Sequence, residues 1–274
     1  NGQQDICYAD QPGGGPTTLA DGTRLQAQFA YLSRDAHGLR QASLAGGRLL
    51  ETQGLSYRDV VRTWIYIPAL LEWYAEFNAA RRAVFRKSGL IDGERAPAWL
   101  PASTGIQGLC PAGRSCMMGL MAVAPVEGAD VTVGTVESPK QCEAFDYGSA
   151  FSRAVEVRDE RYSRMYVSGT ASIDAGGSSV HAGDIERQTA HTLGVIRELL
   201  AARGHTLADI AHLTAFLKGP EHLEGFRRAA AREGVDCRLA VETVADVCRP
   251  ELLVEIEAMA VRAASTSCAK AAGS

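Results

Sequence analysis

The sequence predicts an α+β protein made of two similar halves. Three observations carry this. β-rich runs alternate with amphipathic helical stretches, the order of those elements recurs in the second half, and individual residues recur at a spacing of 150. The 274 residues suit one large domain or two of ordinary size.

Residues 1–25 are largely polar, with a Gly/Pro-rich stretch, and read as an irregular lead-in. Residues 25–34 read as a strand and 40–52 as a helix. Val60 to Ile67 is a β-rich run that Pro68 stops, because proline has no N–H to give to a ladder. Residues 70–89 read as an amphipathic helix ending at Gly89. Leu70, Trp73, Tyr74, Phe77, Ala80, Val84 and Phe85 form its apolar stripe. PASTGIQG (101–108), CMMGLMAVAP (116–125) and VTVGTV (131–136) read as three strands.

The second half has the same grammar. Residues 164–174 read as a strand with a turn after it. Residues 184–204 read as a helix with Asp184 as N-cap and Gly204 as C-terminal stop. A strand at 210–217, a helix at 220–234 opened by Pro220, and two strands at 237–246 and 252–263 follow. At a spacing of 150, Gly54 meets Gly204, Asp59 meets Asp209 and Tyr66 meets Phe216. Met121-Ala122-Val123 matches Met259-Ala260-Val261. Shared order of this kind points to duplication, with residues 1–150 as one half and 151–274 as the other.

Composition narrows the function. A net charge of -4 leaves no basic field, so nucleic acid is not an expected partner. No run of 18 or more apolar residues occurs, so no membrane span is expected, and the N-terminus has no signal-peptide core. Seven scattered cysteines, without zinc spacing, read as reduced thiols in a cytoplasmic protein, with no metal site.

The last strand carries the chemistry. Leu252, Val254, Ile256, Ala258 and Ala260 fall on one face, and Leu253, Glu255, Glu257, Met259 and Val261 on the other. Two carboxylates thus sit in an apolar row. At the alignment set by the Met-Ala-Val match, Glu255 falls on Met117 and Glu257 on Gly119. The fold therefore does not require an acid there. An ordinary glutamate, with a pKa of about 4.3, is ionised at neutral pH, but burial on an apolar face favours the protonated form.

VSGTASID, PEHLEGFRRAAAREG, CRLAVET and LLVEIEAMAV, in that order, resemble the YjgF/RidA family over roughly residues 160–263. That resemblance implies a chorismate mutase-like α+β fold in each half, with mixed sheets and helices packed on one face. It also implies a site arginine and glutamate, matched here by Arg238 and Glu255. RTWIYIP, EFNAARRAVF, WLPASTGIQG and SPKQCEAFDYGSAFSRA extend the resemblance along the whole chain, to the chorismatases, which have two RidA-like halves.

The chorismatase resemblance implies removal of pyruvate from chorismate without a cofactor, in a site carried by the second half. Glu255 would be the general acid for the enolpyruvyl ether. Cys248, seven residues before it, matches the subtype that makes 3-hydroxybenzoate, alone or mixed with 4-hydroxybenzoate. Arg238, Arg153 and Tyr147 are the candidates for holding the substrate, and Glu257 is assigned a supporting role. Chorismate hydrolysis to a cyclohexadiene diol, RidA-like imine deamination and a non-catalytic binding role stay open. So does the choice between monomer and homotrimer.

Overall fold

The computed structural model describes residues 17–18, 24–32, 47, 50–51, 54–92, 99–109, 116–124 and 128–264. Most of the lead-in and of the expected 40–52 helix lies outside the described residues.

The described strands form two sheets. The first contains β1 (Thr17–Thr18), β2 (Arg24–Leu32), β3 (Val60–Ile67), β4 (Ala102–Gln107) and β5 (Cys116–Ala124), in the order β1-β2-β5-β3-β4. The second contains β6 (Thr132–Val136), β7 (Ala154–Arg158), β8 (Tyr162–Ala171), β9 (Ile210–Leu217), β10 (Ala240–Val244) and β11 (Val254–Ala263), in the order β10-β9-β11-β8-β7-β6. Each sheet is mixed, with one parallel pair, β3 with β4 and β9 with β10.

Helix α1 (Leu70–Lys87) lies on the first sheet, and α2 (Ile185–Ala201) and α3 (Leu223–Arg232) on the second. Leu70, Phe77, Val84 and Phe85 of α1 pack on Ile65, Ile67, Met118 and Leu120. Leu193, Ile196, Leu200 and Phe226 of α2 and α3 pack on Leu213, Val254 and Ile256. Burying each such side chain is worth about 1.5–3 kcal/mol, so these stripes fix which sheet face the helices cover.

The two halves share local detail. Short 3-10 helices at Tyr57–Asp59 and Leu207–Asp209 each have a capping box, Ser56 with Asp59 and Thr206 with Asp209. The carboxylate accepts the cap N–H at 2.7 Å in both. Before each box a glycine takes positive φ, 71° at Gly54 and 73° at Gly204, and the next N–H reaches back five residues at 2.9 Å. β3 and β9 start 150 residues apart. Tyr66 lies opposite Met117 and Phe216 opposite Glu255, while Trp64 lies opposite Gly119 and Thr214 opposite Glu257. The register shift also recurs, at Val60/Arg62 in one half and at Ile210/His212 in the other.

Three expectations need correction. β6 pairs with β7, so the strand at 132–136 belongs to the second sheet, which begins before residue 150. β7 itself was not anticipated, because its run is only five residues long and ends in an arginine. Residues Cys237–Leu239 form a 3-10 helix, and β10 starts only at Ala240.

The sheets meet where β4 lies against β8. In the β8–β11 ladder Ile256 faces Thr170 and Ala258 faces Val167, so Ser168 and Gly169 together oppose Glu257. Such a bulge leaves ladder groups unpaired. Here β4 takes up one of them, since Gly169 N–H donates to Thr104 Oγ1 at 3.1 Å, and Ser103 N–H adds a bond to the Ser168 hydroxyl at 2.9 Å.

Candidate active site

β11 is an inner strand, between β8 and β9. Its even face, Val254, Ile256 and Ala258, packs under the helices. Its odd face turns Glu255 and Glu257 into the joint between the sheets, where they are 5% and 7% exposed. Two adjacent buried carboxyls need different partners to persist.

Glu257 is the ion-paired one. Its Oε2 accepts from Arg62 Nη2 at 2.5 Å and from Thr104 Oγ1 at 2.5 Å. Both donors come from the first half. Glu255 has the Cys248 thiol as hydrogen-bond partner. Burial pushes its pKa up to about 8, with the Glu257 charge adding and the Arg62 charge and the thiol bond opposing. Glu255 therefore carries a proton at neutral pH. Burial, reinforced by the Glu255 charge, pushes the Cys248 thiol up to about 12. Cys248 is thus a neutral thiol and a poor nucleophile. Gly169 makes room for the acid: a Cβ there would collide with Glu255 Oε1 and stand 3.0 Å from its Cδ.

Glu255 opens onto a cavity of about 170 Å³. Three arginines line it, Arg81, Arg153 and Arg249, together with Cys248, Ser103, Tyr74, Phe77 and Phe151. Arg81 on α1 lies 4.8 Å from the Phe77 ring and 5.3 Å from that of Phe151, and donates to Asn78 Oδ1 at 2.7 Å. Arg153 is held by the Cys142 carbonyl through Nε at 3.1 Å and through Nη2. Arg249 donates to the Gly177 carbonyl at 2.9 Å and to Ser179 Oγ at 3.1 Å. Anchored guanidiniums lose little freedom when they take a carboxylate, so the cavity suits a small dianion carrying an apolar ring.

Of the candidates from sequence, Glu255, Cys248 and Arg153 meet at this cavity. Arg238 does not line it. It lies in the 3-10 helix before an edge strand, its side chain is 90% exposed, and it pairs with Asp236 at 2.7 Å. Tyr147 ends a short 3-10 helix, Ala144–Tyr147, and its side chain lies outside what is described. The cavity is not built by the second half alone, since Tyr74, Phe77, Arg81, Ser103 and Gly105 come from the first.

Sequence reasoning missed Arg81, Arg249 and Gly169. Arg81 had a readable signal, because it falls four residues after Phe77 and three before Val84, inside the apolar stripe of its helix. A cation in such a stripe is as informative as the acid in the apolar row of β11. Arg249 directly follows Cys248. Gly169 had no signal, because a bulge depends on the partner strand.

Known proteins share this architecture. Residues 143–262 match the family model described as Endoribonuclease L-PSP. A RutC family protein of Sulfurisphaera tokodaii is 32% identical over 100 residues, covering 36% of this chain and 72% of the relative. The chain belongs to the RutC family, through its second half.

Over most of its length it is similar to chorismatases. One from Streptomyces hygroscopicus is 30% identical over 231 residues, covering 76% of this chain and 63% of the relative. A 3-hydroxybenzoate synthase of the same organism is 27% identical over 253 residues, covering 82% of this chain and 69% of the relative. The chain thus spans less than two thirds of the first chorismatase's length. A chorismatase crystal structure has the same fold, with a TM-score of 0.72 at 24% identity, over 94% of this chain and 78% of the other. Among the described residues no helix is long and apolar enough to cross a membrane.

Proposed function

We propose that the chain is a chorismatase-type enzyme that releases pyruvate from chorismate, with 3-hydroxybenzoate as the ring product. One observation carries the proposal: a buried carboxyl, Glu255, and three anchored arginines line one cavity. Chorismate is a dianion with an acid-labile enolpyruvyl ether, so its chemistry asks for that combination.

Glu255 delivers its proton to the terminal methylene carbon, which becomes the methyl group of pyruvate. The ether carbon takes up positive charge as the proton arrives. A carboxyl with a pKa of about 8 is largely protonated at neutral pH and still a competent acid. Arg81, Arg153 and Arg249 supply the positive charge for two carboxylates, and Phe77 and Phe151 flank the ring.

Two outcomes are then open to the cation. In one, the ring's 4-hydroxyl oxygen displaces pyruvate from the neighbouring ring carbon, loses its proton, and forms an arene oxide that aromatises. No water is consumed. In the other, water adds to the ether carbon, and the hemiketal collapses to pyruvate and a cyclohexadiene diol. The aromatic outcome is favoured by Cys248, whose spacing from Glu255 fits that subtype, and by the similarity to a 3-hydroxybenzoate synthase. An imine deaminase using Arg238 with Glu255 is disfavoured, because Arg238 is turned to solvent and paired with Asp236.

Incubation with chorismate, with pyruvate quantified and the ring product separated by chromatography, tests this. Equal amounts of pyruvate and 3-hydroxybenzoate are expected. A diol in place of the aromatic acid overturns the product assignment and keeps the reaction. No pyruvate from a folded sample overturns both.

A further inference from the structure

We propose that Glu257 is a positioning residue that keeps the catalytic proton on Glu255, and that Arg62 and Thr104 of the first half hold it in that role. The inference rests on the reading of Glu255 as general acid.

Two glutamates two positions apart on a strand have Cα atoms about 6.5–7 Å apart and point the same way. In a dry joint both cannot ionise cheaply, so something must decide which one keeps the proton. The donor inventory around Thr104 decides it. Thr104 Oγ1 accepts from Arg62 Nη2 at 2.5 Å and from Gly169 N–H at 3.1 Å. Its single proton is then left for Glu257 Oε2, at 2.5 Å. That oxygen also accepts from Arg62 Nη2, so it receives two donors, one of them cationic, an arrangement that favours the negative charge on Glu257. The Arg62–Glu257 pair is buried, with side chains 3% and 10% exposed. Arg62 and Thr104 both donate to Glu257, whereas Glu255 has the Cys248 thiol, so the charge is favoured on Glu257 and the proton on Glu255.

Other groups also face Glu255. The Cys248 thiol bonds to it, and Arg81, Arg153 and Arg249 look across the cavity from α1, from the segment before β7 and from the loop before β11. Their charges favour ionisation until a dianion occupies them. Tyr66 on β3 faces Arg62 and Glu257. Glu257 is the anion among these neighbours that opposes loss of the proton. Gly169 links the two functions, since its N–H completes the Thr104 network while its missing Cβ makes room for Glu255. The first half, which has no acid of its own at this position, thus sets the acid of the second.

The test is the pH profile of kcat/KM for pyruvate release in the unaltered chain, in Glu257→Gln and in the near-isosteric Thr104→Val. Activity needs protonated Glu255, so it falls as pH rises through that pKa. Glu257→Gln removes the repelling anion and is expected to move the alkaline limb down by about one pH unit, or about tenfold less activity on the falling limb. Thr104→Val removes one donor from the Glu257 anion, lets it compete for the proton, and moves the limb the same way by less. An unmoved limb in Thr104→Val, with a uniform loss or no loss in Glu257→Gln, overturns the inference. If Glu257→Gln does not fold, Thr104→Val alone decides. Glu255→Gln is run in parallel: retained turnover overturns the acid reading itself, whereas lost turnover with an unmoved limb overturns only the role of Glu257.

Discussion

The two halves share a fold but not a chemistry, and the difference falls on a few aligned positions. Where the second half has Glu255 and Glu257, opposite Phe216 and Thr214, the first has Met117 and Gly119, opposite Tyr66 and Trp64. Where the first has Arg62, the second has His212 at the same spacing of 150. The outer strands differ too. β4 is covered by the bulged β8, whereas its counterpart β10 is an open edge with Val241 52% and Val244 57% exposed. The β2–β5 ladder runs without a shift, and the β8–β11 ladder is bulged beside the acid. One half thus supplies carboxyls and the other the cation and hydroxyl that tell them apart. A duplicated fold can specialise in this way because its strands are held by backbone pairing and apolar faces, which leave the helix-free faces free to diverge.

The largest way to break this comparison is to remove the acid. Glu255→Gln is expected to lower pyruvate release by at least ~10²-fold, the usual scale of general acid catalysis. The variant also reads the pKa through stability. A carboxyl whose folded pKa is raised holds its proton in the native state where the unfolded chain has lost it. Its contribution is fully present below the unfolded value of about 4.5 and is lost as pH rises to about 8. Chemical denaturation of the unaltered chain should therefore show stability falling across that window relative to Glu255→Gln. Parallel curves for the two proteins would contradict the buried, protonated assignment.

Next in size is Arg62→Met, which leaves the Glu257 carboxylate buried without its cation. Breaking such a pair from one side costs about 3–5 kcal/mol, far more than the pair contributes against an apolar replacement. Adding Glu257→Leu should recover much of the loss. A single-variant loss below ~1 kcal/mol would mean that Glu257 had taken up a proton at little cost.

Much of this arrangement could be read in advance, for physical reasons specific to each part. β3, β9 and the capping boxes are written in contiguous residues, because a turn needs Ser or Thr three positions before Asp and a strand needs its own run of β-branched side chains. Glu255 stood out because it breaks an apolar row. Arg81 breaks one equally, on a 3.6-residue period. The Arg62–Glu257 pair had no local signal, being 195 residues apart in sequence. The bulge at Ser168–Gly169 is likewise a property of two strands together. Arg238 misled because a short 3-10 helix and a strand start look alike in five residues, and only the position of β10 at the sheet edge separates them.

Gly169→Ala tests the fit at the bulge. The new methyl displaces the Glu255 carboxyl and approaches Thr104 Cγ2, at 3.3 Å. Displacing a flexible side-chain end costs less than moving backbone, so stability should fall by only about 1–2 kcal/mol. Turnover depends on where the proton is delivered and should fall by more, roughly tenfold or beyond, with kcat affected more than KM. Equal, small effects on both would show that the carboxyl is not held tightly by β8.

The smallest effect is expected at Arg238, and that is what makes it useful. Its ion pair with Asp236 is solvent-exposed, and such pairs contribute little to stability. Arg238→Ala should leave pyruvate release within about twofold of the unaltered chain, while Arg153→Met, at the cavity, should raise KM strongly, as loss of a partner to a buried carboxylate does. The resemblance to RidA proteins implies the opposite order, with Arg238 as the site arginine. A large loss in Arg238→Ala would mean that this side chain reaches a carboxylate outside its own chain, in a site completed by a second copy. Concentration-dependent activity would then accompany the loss. Unchanged activity would instead leave Arg81, Arg153 and Arg249 as the anion-binding groups and set this two-half site apart from that of its single-half relatives.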